Sequence, residues 1–201
     1  AGEDAGNLAL DIIIVNDGST DDFTNALLSS YKKPKTMVFG IENRGLSGAR
    51  NLGISKSKGE YILPLDADDK FRPTYLDKAV AILNENPDIG FVACWAEFFG
   101  EEKYIWKTRS FDLKEALVRN HICSSSLFRK KCWEEVGGYD EEMRGYEDWN
   151  FWISILSRGW KGEVISEPLF LYRRKSGSMV RESNRIENRL KLVEKIIDNN
   201  I

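Results

Sequence analysis

A chain of 201 residues, 42% hydrophobic and 30% charged, carries enough apolar material for one large domain, or a domain with an appendage, and too much for a disordered chain. Its formal net charge of −3 builds no global field that would draw it to nucleic acid or anionic lipid. The three cysteines, Cys94, Cys123 and Cys132, are odd in number and form no C-x-x-C pair. That argues against a disulfide framework or structural zinc site as the organising device, and for a reducing, cytoplasmic compartment. No run reads as a signal peptide or as an apolar stretch of spanning length.

In chain order, residues 1–9 are small and polar and read as a tail or loop. Leu10 to Val15 is a strand, ending in the turn cluster Asn16-Asp17-Gly18-Ser19-Thr20-Asp21-Asp22. Ser19, Thr20 or Asp21 is placed to cap the next helix, to which Phe23, Ala26, Leu27 and Tyr31 give one apolar face. Met37 to Phe39 is a short strand. The glycine-rich stretch from Asn43 to Gly53 opens a helix ending near Lys56 to Gly59, and such an entry presents free N–H groups to an anion. Arg44 and Arg50 add positive charge there; the plainer alternative is a loop and a helix closely packed at Gly53.

Glu60 to Asp69 is an apolar run of strand length that ends in three acids, Asp66, Asp68 and Asp69. Three carboxylates this close repel one another unless a cation sits between them. An arginine could serve, but oxygen ligands also suit Mg²⁺ or Mn²⁺, which in turn bind nucleotide phosphates. A solvated acidic turn is the alternative. Pro64 lacks a ladder donor, so an irregularity is expected there. Pro73 and Thr74 start a helix with Tyr75, Leu76, Ala79, Val80 and Leu83 on its buried face, and Ile89 to Trp95 is a buried strand. The first half therefore alternates strand and helix, an α/β pattern with parallel strands and sites at their carboxyl ends.

The second half is less regular. Residues 97–110 show no clear period and read as a loop or an antiparallel pair. Phe111 to Arg119 reads as a helix, Ser124 to Phe128 as a strand, and Lys130 to Val136 as a helix closed by Gly137-Gly138. His121, the one histidine, reads as a surface or packed residue. Glu147 and Asp148 open a helix running to Arg158. Acids suit a helix start, but three large aromatics, Trp149, Phe151 and Trp152, lie close by, and an acid walled by aromatics can act as a general base or hold a sugar ring. Strands at Gly162–Ile165 and Leu169–Tyr172 lead into Arg173-Arg174-Lys175, a phosphate clamp or a solvated basic turn. The tail from Arg181 reads as a helix with Ile186, Leu190, Val193 and Ile197 on one face. It is expected to pack on the domain, with a partner or the inner face of a membrane as the lesser alternative.

Four stretches, in this order and spacing, resemble the family 2 glycosyltransferases. They are Ile12 to Asp21, Asn43-Arg44-Gly45 with Ala49-Arg50-Asn51, Leu65-Asp66-Ala67-Asp68-Asp69 (a DXD motif), and Gly137-Gly138-Tyr139-Asp140 with Glu147-Asp148-Trp149. The resemblance runs from about Leu10 to Ser178. It implies a GT-A fold, α/β with a mixed central sheet flanked by helices, over residues 1–180, followed by an amphipathic helix over 181–201. It further implies inverting, metal-dependent transfer of a sugar from a nucleotide diphosphosugar, usually a UDP-sugar, to a hydroxyl of a glycan or lipid-linked acceptor, as in polysaccharide biosynthesis. By the same analogy Asp17 would contact the base and Asp66 the ribose. Asp68 would bind Mn²⁺ or Mg²⁺, Arg50, Arg173 and Arg174 would lie near the donor phosphates, and Asp148, with Glu147 beside it, would be the general base.

The family places a strand and a helix before the strand at Ile12. Here that strand is expected to be absent, and the natural protein is expected to carry it ahead of Ala1. The family also often has His where Lys175 stands, which leaves the metal to Asp68, phosphate and water. Two other functions compete with transfer. A nucleotidyltransferase shares the scaffold but would carry a Gly-rich basic loop after its first strand and would not need Glu147-Asp148. A truncated, non-catalytic sugar-nucleotide-binding domain is the other.

Overall fold

The computed structural model describes residues 9–109, 111–175 and 186–200. In chain order the elements are β1 (Ile12–Asp17), α1 (Asp22–Ser30), β2 (Thr36–Ile41), α2 (Gly45–Lys56), β3 (Tyr61–Ile62), β4 (Lys70–Phe71), α3 (Thr74–Glu85), β5 (Ile89–Gly100), β6 (Ile105–Trp106), α4 (Leu113–Val118), β7 (Leu127–Arg129), α5 (Lys130–Val136), α6 (Glu147–Ser157), β8 (Lys161–Arg174) and α7 (Ile186–Asn200).

The strands fall into two sheets. β1 and β2 pair in parallel, and among the described residues they share no ladder with the rest. The larger sheet runs β3-β7-β5-β8-β4, with β6 on the edge of β5. Its long axis is the parallel pair β5–β8, while β3, β4, β6 and β7 all pair antiparallel. The parallel strands read from the alternating first half are thus limited to β1–β2 and β5–β8, and the sheet is mixed, as the resemblance implies.

Local chemistry accounts for the other departures. The acidic strand keeps only Tyr61 and Ile62 in a ladder. Pro64, two residues on, cannot donate, and the chain leaves the sheet until Lys70, where it pairs with β8. The two strands expected at Gly162–Ile165 and Leu169–Tyr172 are one, β8; the missing donor of Pro168 is absorbed by register shifts on either side of Trp95. β5 runs five residues further than Trp95 and turns back into β6, so the irregular region is an antiparallel pair.

The core lies on both faces of the larger sheet. On one, Tyr75, Ala79 and Leu83 of α3 pack fully buried against Val92, Cys94 and Phe170. The Tyr75 hydroxyl donates to the Val92 carbonyl and accepts the Leu127 N–H, so its burial leaves no orphan there. On the other, α6 buries Phe151, Trp152, Ile153 and Ile155 against Phe91 and Phe128. Each such side chain contributes roughly 1.5–3 kcal/mol. α7 joins this second cluster through Leu192, Val193 and Ile196, and Asn200 bonds Asn150 and Ser154. Of the face expected to pack, Val193 does so, Leu190 and Ile197 are exposed, and the Ile186 side chain lies outside the described residues. The polar links to α6 set the rotation of the helix, and Leu192 and Ile196 then point inward. The same holds for α1, which caps on Asp21 and turns Thr24, Asn25 and Leu28 toward the sheet, leaving Phe23 75% exposed. All three cysteines are buried and unpaired. His121 is buried against Phe111 and bonds the Arg119 carbonyl, a packed residue.

Candidate functional site

The longest loops and three element ends converge on one cavity of about 610 Å³. Its lining includes Arg50 of α2, Asp66, Asp68 and Asp69 of the β3–β4 loop, Glu147 and Asp148 of α6, Arg173 and Arg174 of β8, and Lys175 just after it. Of the residues expected to act, Asp17 stands apart. It ends β1 and is not among the lining residues.

Arg50 is the hub. Its side chain is 7% exposed, and its two terminal nitrogens bond Asp66 and Glu147, each at 2.9 Å. Burial opposes the guanidinium charge, but Asp66, Tyr139, Glu147 and Asp148 outweigh it and hold the group protonated more firmly than usual. With both ends engaged, Arg50 ties the acidic loop to the start of α6. The expected phosphate contact would have to compete with two carboxylates.

Each acid of the loop has its own partner. Asp66 takes Arg50; Asp68 Oδ2 takes Lys175 Nζ at 2.7 Å; Asp69 Oδ1 accepts the Arg173 N–H at 2.7 Å. The other Asp69 oxygen is buried with no partner among the described residues, and burial, aided by the charges of Asp66 and Asp68, pushes this carboxyl up to about 7. The Arg173 side chain bonds the Asp68 carbonyl and lies over Phe99, while Arg174 pairs with Glu102. Repulsion within the acid cluster is thus answered in good part by the chain's own cations. Among the described residues no three His, Cys, Asp or Glu side chains converge as a metal cage. The hard oxygen of Asp68, about a third exposed and held by one lysine, does fit a Mg²⁺ or Mn²⁺ that arrives with diphosphate, since such ions are held by one or two carboxylates plus phosphates.

Glu147 and Asp148 are positioned by a turn with unusual backbone. Gly145 has φ +148° and Tyr146, a non-glycine, φ +54° and ψ 20°. A left-handed tyrosine costs of order 1 kcal/mol and persists because its surroundings over-determine it. The turn lets α6 start at Glu147, so both acids sit in its first turn. Asp148 is half-buried. Its Oδ1 accepts its neighbour Trp149's N–H at 2.8 Å and faces Asn120 Nδ2 at 3.5 Å. Burial, with the Glu147 charge beside it, outweighs Arg50 and these donors and pushes the Asp148 carboxyl up to about 7. That is where a general base works best near neutrality.

Two further links hold the site and were not expected from the sequence. Asn51 bonds the Tyr139 N–H and carbonyl and the Trp133 ring N–H, joining α2 to the Gly137-Gly138-Tyr139 turn. Gly138 is needed there: a Cβ would lie 2.8 Å from the Asn51 oxygen. Asp17 Oδ1 accepts the Arg44 N–H at 2.7 Å, and Arg44 bonds Glu141. The four stretches that carry the resemblance are therefore wired together by side chains.

The glycosyl transferase family 2 profile matches residues 4–148. The chain belongs to this family. It is 27% identical over 176 residues to an uncharacterized glycosyltransferase of Methanocaldococcus jannaschii, covering 80% of the chain and 59% of that protein. It is also 27% identical over 168 residues to the chondroitin synthase of Pasteurella multocida, covering 75% of the chain and 16% of the synthase. Among solved structures it resembles S. aureus TarS in complex with UDP-GlcNAc, with TM-score 0.75 and 17% identity over 94% of this chain and 57% of that one. The mannosyltransferase PcManGT of Pyrobaculum calidifontis, in complex with GDP-Man and Mn²⁺, gives TM-score 0.69 and 18% identity over 94% and 55%. The fold is that of the GT-A nucleotide-sugar transferases. The chain spans less than two thirds of the length of these relatives.

Proposed function

We propose that this family 2 domain transfers a sugar from a UDP-sugar to an acceptor hydroxyl, with inversion and with Asp148 as the general base. The observation that carries the reading is Asp148 itself: a carboxyl raised to about 7, with Oδ1 engaged by its neighbour's N–H, lining the cavity that also holds the acidic loop and the basic end of β8. Family membership and the sugar nucleotides bound by TarS and PcManGT support the donor class. The chondroitin synthase likeness supports a glycan acceptor.

In this reading Asp17 and the Asn43–Arg44 turn hold the nucleoside end, and Arg173, Arg174 and Lys175 meet the diphosphate. Asp148 takes the proton of the acceptor hydroxyl. The oxygen so freed attacks the anomeric carbon from the face opposite the leaving group, one C–O bond forms, and the C–O bond to the diphosphate breaks with its electron pair leaving on the nucleotide. Arg50 bonds Asp66 and Glu147 through its two terminal nitrogens, so that of the acid pair at the start of α6 it is Asp148 that is left to exchange a proton. Mg²⁺ or Mn²⁺, bound at Asp68 with the diphosphate, would neutralise the charge of the leaving group.

The test is Asp148→Asn, assayed with labelled UDP-sugars and Mn²⁺ for transfer and for slow donor hydrolysis. Turnover is expected to fall roughly 10²–10⁴-fold with UDP-sugar affinity little changed. Near-normal turnover would remove Asp148 as the base. A wild-type chain that binds UDP-sugars but never turns one over would be a binding domain and not a transferase.

A further inference from the structure

The cavity has a wall that none of the chemistry above uses. β6, β5 and β8 lie side by side, and their register aligns two cross-strand rows. One is Trp106–Ala96–Phe170; the other is Tyr104–Phe98–Tyr172, closed by the Phe98 N–H donating to the Tyr104 carbonyl. All six side chains line the cavity that also contains Asp66, Asp68 and Asp148. Ala96, the smallest, sits between Trp106 and Phe170, so the first row dips in its middle. Phe98 is the hub of the second row: Tyr104 stacks on it at 4.3 Å, and Tyr172 and Trp106 meet it edge-on at 5.0 and 6.4 Å. The floor, Ala96 and Phe170, is fully buried, whereas Tyr104 is 48% exposed and Trp106 is half-buried.

A trough of aromatic edges and faces beside carboxylates matches one ligand chemistry closely. A pyranose has an apolar face of C–H groups that lies on an aromatic ring, and a rim of hydroxyls that needs acceptors and donors. The rim here is polar. Besides the acids it includes Asn120, whose Oδ1 is shielded from water and has no partner among the described residues. The nucleoside end of a donor would not use this wall, because Asp17 lies on the other sheet, outside the cavity. A hydroxyl that reaches Asp148 belongs to a molecule that fills the cavity beside it.

We infer that the wall formed by Trp106, Tyr104 and Tyr172 around Ala96 is the acceptor subsite and that it takes a pyranose ring, so that the acceptor is a glycan end. This rests on the proposed transfer reaction, but its test does not need turnover. Saturation-transfer NMR with cellobiose, lactose, maltose and chitobiose, in the presence of UDP and Mn²⁺, should show at least one disaccharide receiving saturation at its ring C–H protons. Trp106→Ala should weaken that binding roughly tenfold, the loss of one good aromatic contact, and Trp106→Phe should restore most of it. Tyr104→Ala, at a more exposed ring, should weaken it less while leaving the fold intact by circular dichroism. UDP affinity should stay unchanged in all three variants. The inference is overturned if Trp106→Ala and Tyr104→Ala bind the disaccharide as wild type does, or if no disaccharide binds at its solubility limit. It is equally overturned if UDP affinity falls with the ring, which would make the wall a base platform, or if dodecyl phosphate binds there in place of sugars, which would make it a lipid site. Absence of donor turnover in a wild-type chain that still shows ring-dependent sugar binding would strike the proposed reaction and leave the subsite standing.

Discussion

The two sheets differ in what holds them. In β5 seven of the first eight residues are buried, and the strand is packed from both sides by α3 and α6. In β1, β2 and α1 no residue is fully buried, and Leu10, Ile12, Phe23, Leu27 and Met37 remain exposed. The smaller layer is tied to the larger one chiefly through α2, whose buried apolar contribution is Ile54, and otherwise by polar links from Arg44, Arg50 and Asn51. Apolar burial is non-directional and cooperative, whereas polar ties fix geometry at little net stability. The layer that carries Asp17 is therefore positioned with precision but held weakly. In the proposed function a ligand bridging Asp17 and the cavity would supply what the packing does not.

Breaking the hub should have the largest effect. Arg50→Met removes the cation from between Asp66 and Glu147 and leaves two poorly hydrated carboxylates facing each other. Removing one partner of a buried ion pair costs about 3–5 kcal/mol. Urea unfolding should show a loss of that order, and UDP binding should fail because the acidic loop is no longer held. A loss under about 1 kcal/mol would mean that the bridge is solvated and does not join the layers.

Next comes the ligand. If UDP and Mn²⁺ together span the two layers, each at about a hundred times its Kd should stabilise the chain by roughly 2.7 kcal/mol, and the pair by more than the sum of the two. In hydrogen exchange the gain should fall on β1 and β2, which start as the faster-exchanging layer, with β5 and β8 barely changed. Asp68→Ala should remove the excess over additivity. Uniform protection of both sheets would contradict the weak-layer account.

Asn51→Leu is smaller and more local. It strands the Trp133 ring N–H and the Tyr139 N–H and carbonyl, an expected cost of about 1–3 kcal/mol. Because α2 carries β1, exchange in β1 should accelerate more than in β5.

The legible part of this architecture was the part written in contiguous residues. The buried face of α3, the cap on Asp21, the break at Pro64, and the Gly137 stop, with φ +82°, all follow from local pattern. The four family stretches gave the cavity's acids and the place of Asp148. What could not be read were relations made by single polar side chains across long separations, such as Asn51 with Tyr139 or Lys175 with Asp68. The aromatic wall left a trace, since Tyr104 and Trp106, and Phe170 and Tyr172, each alternate with a period of two. In the hairpin that trace was masked by the charged run Glu101-Glu102-Lys103. The face assignment of α1 failed, and that of α7 held only at Val193, for a shared reason. Both helices are amphipathic enough to offer two faces, and in each the cap or the asparagine contacts, not the larger apolar residues, set the rotation.

The smallest effect is titration, and its sign separates the two regions again. Asp69 and Asp148, both in the cavity, have carboxyls raised to about 7, above the roughly 3.9 of an unfolded aspartate. The native state then binds more protons than the unfolded chain between about pH 4 and pH 7. Stability from these two groups is present below pH 4 and is lost as pH rises through 7. Asp21 and Glu141, outside the cavity, are lowered by hydrogen bonds, from Thr24 and from Asn51 and Arg44 respectively, and act in the opposite sense, losing their contribution as pH falls below about 4. Stability should therefore peak near pH 4, decline as pH rises to about 7, and level off above it. Both carboxyls line a cavity open to solvent, and screening there keeps the decline to about 1 kcal/mol, or roughly 2–4 °C in Tm for a chain of this size. Asp148→Asn cannot ionise, so its Tm should fall less than wild type between pH 5 and pH 8, while its turnover shows the large loss expected of a missing base. Wild-type turnover should rise with pH through about 7 as Asp148 loses its proton. A variant that kept the full wild-type decline in Tm would put the raised carboxyl elsewhere, and with it the base.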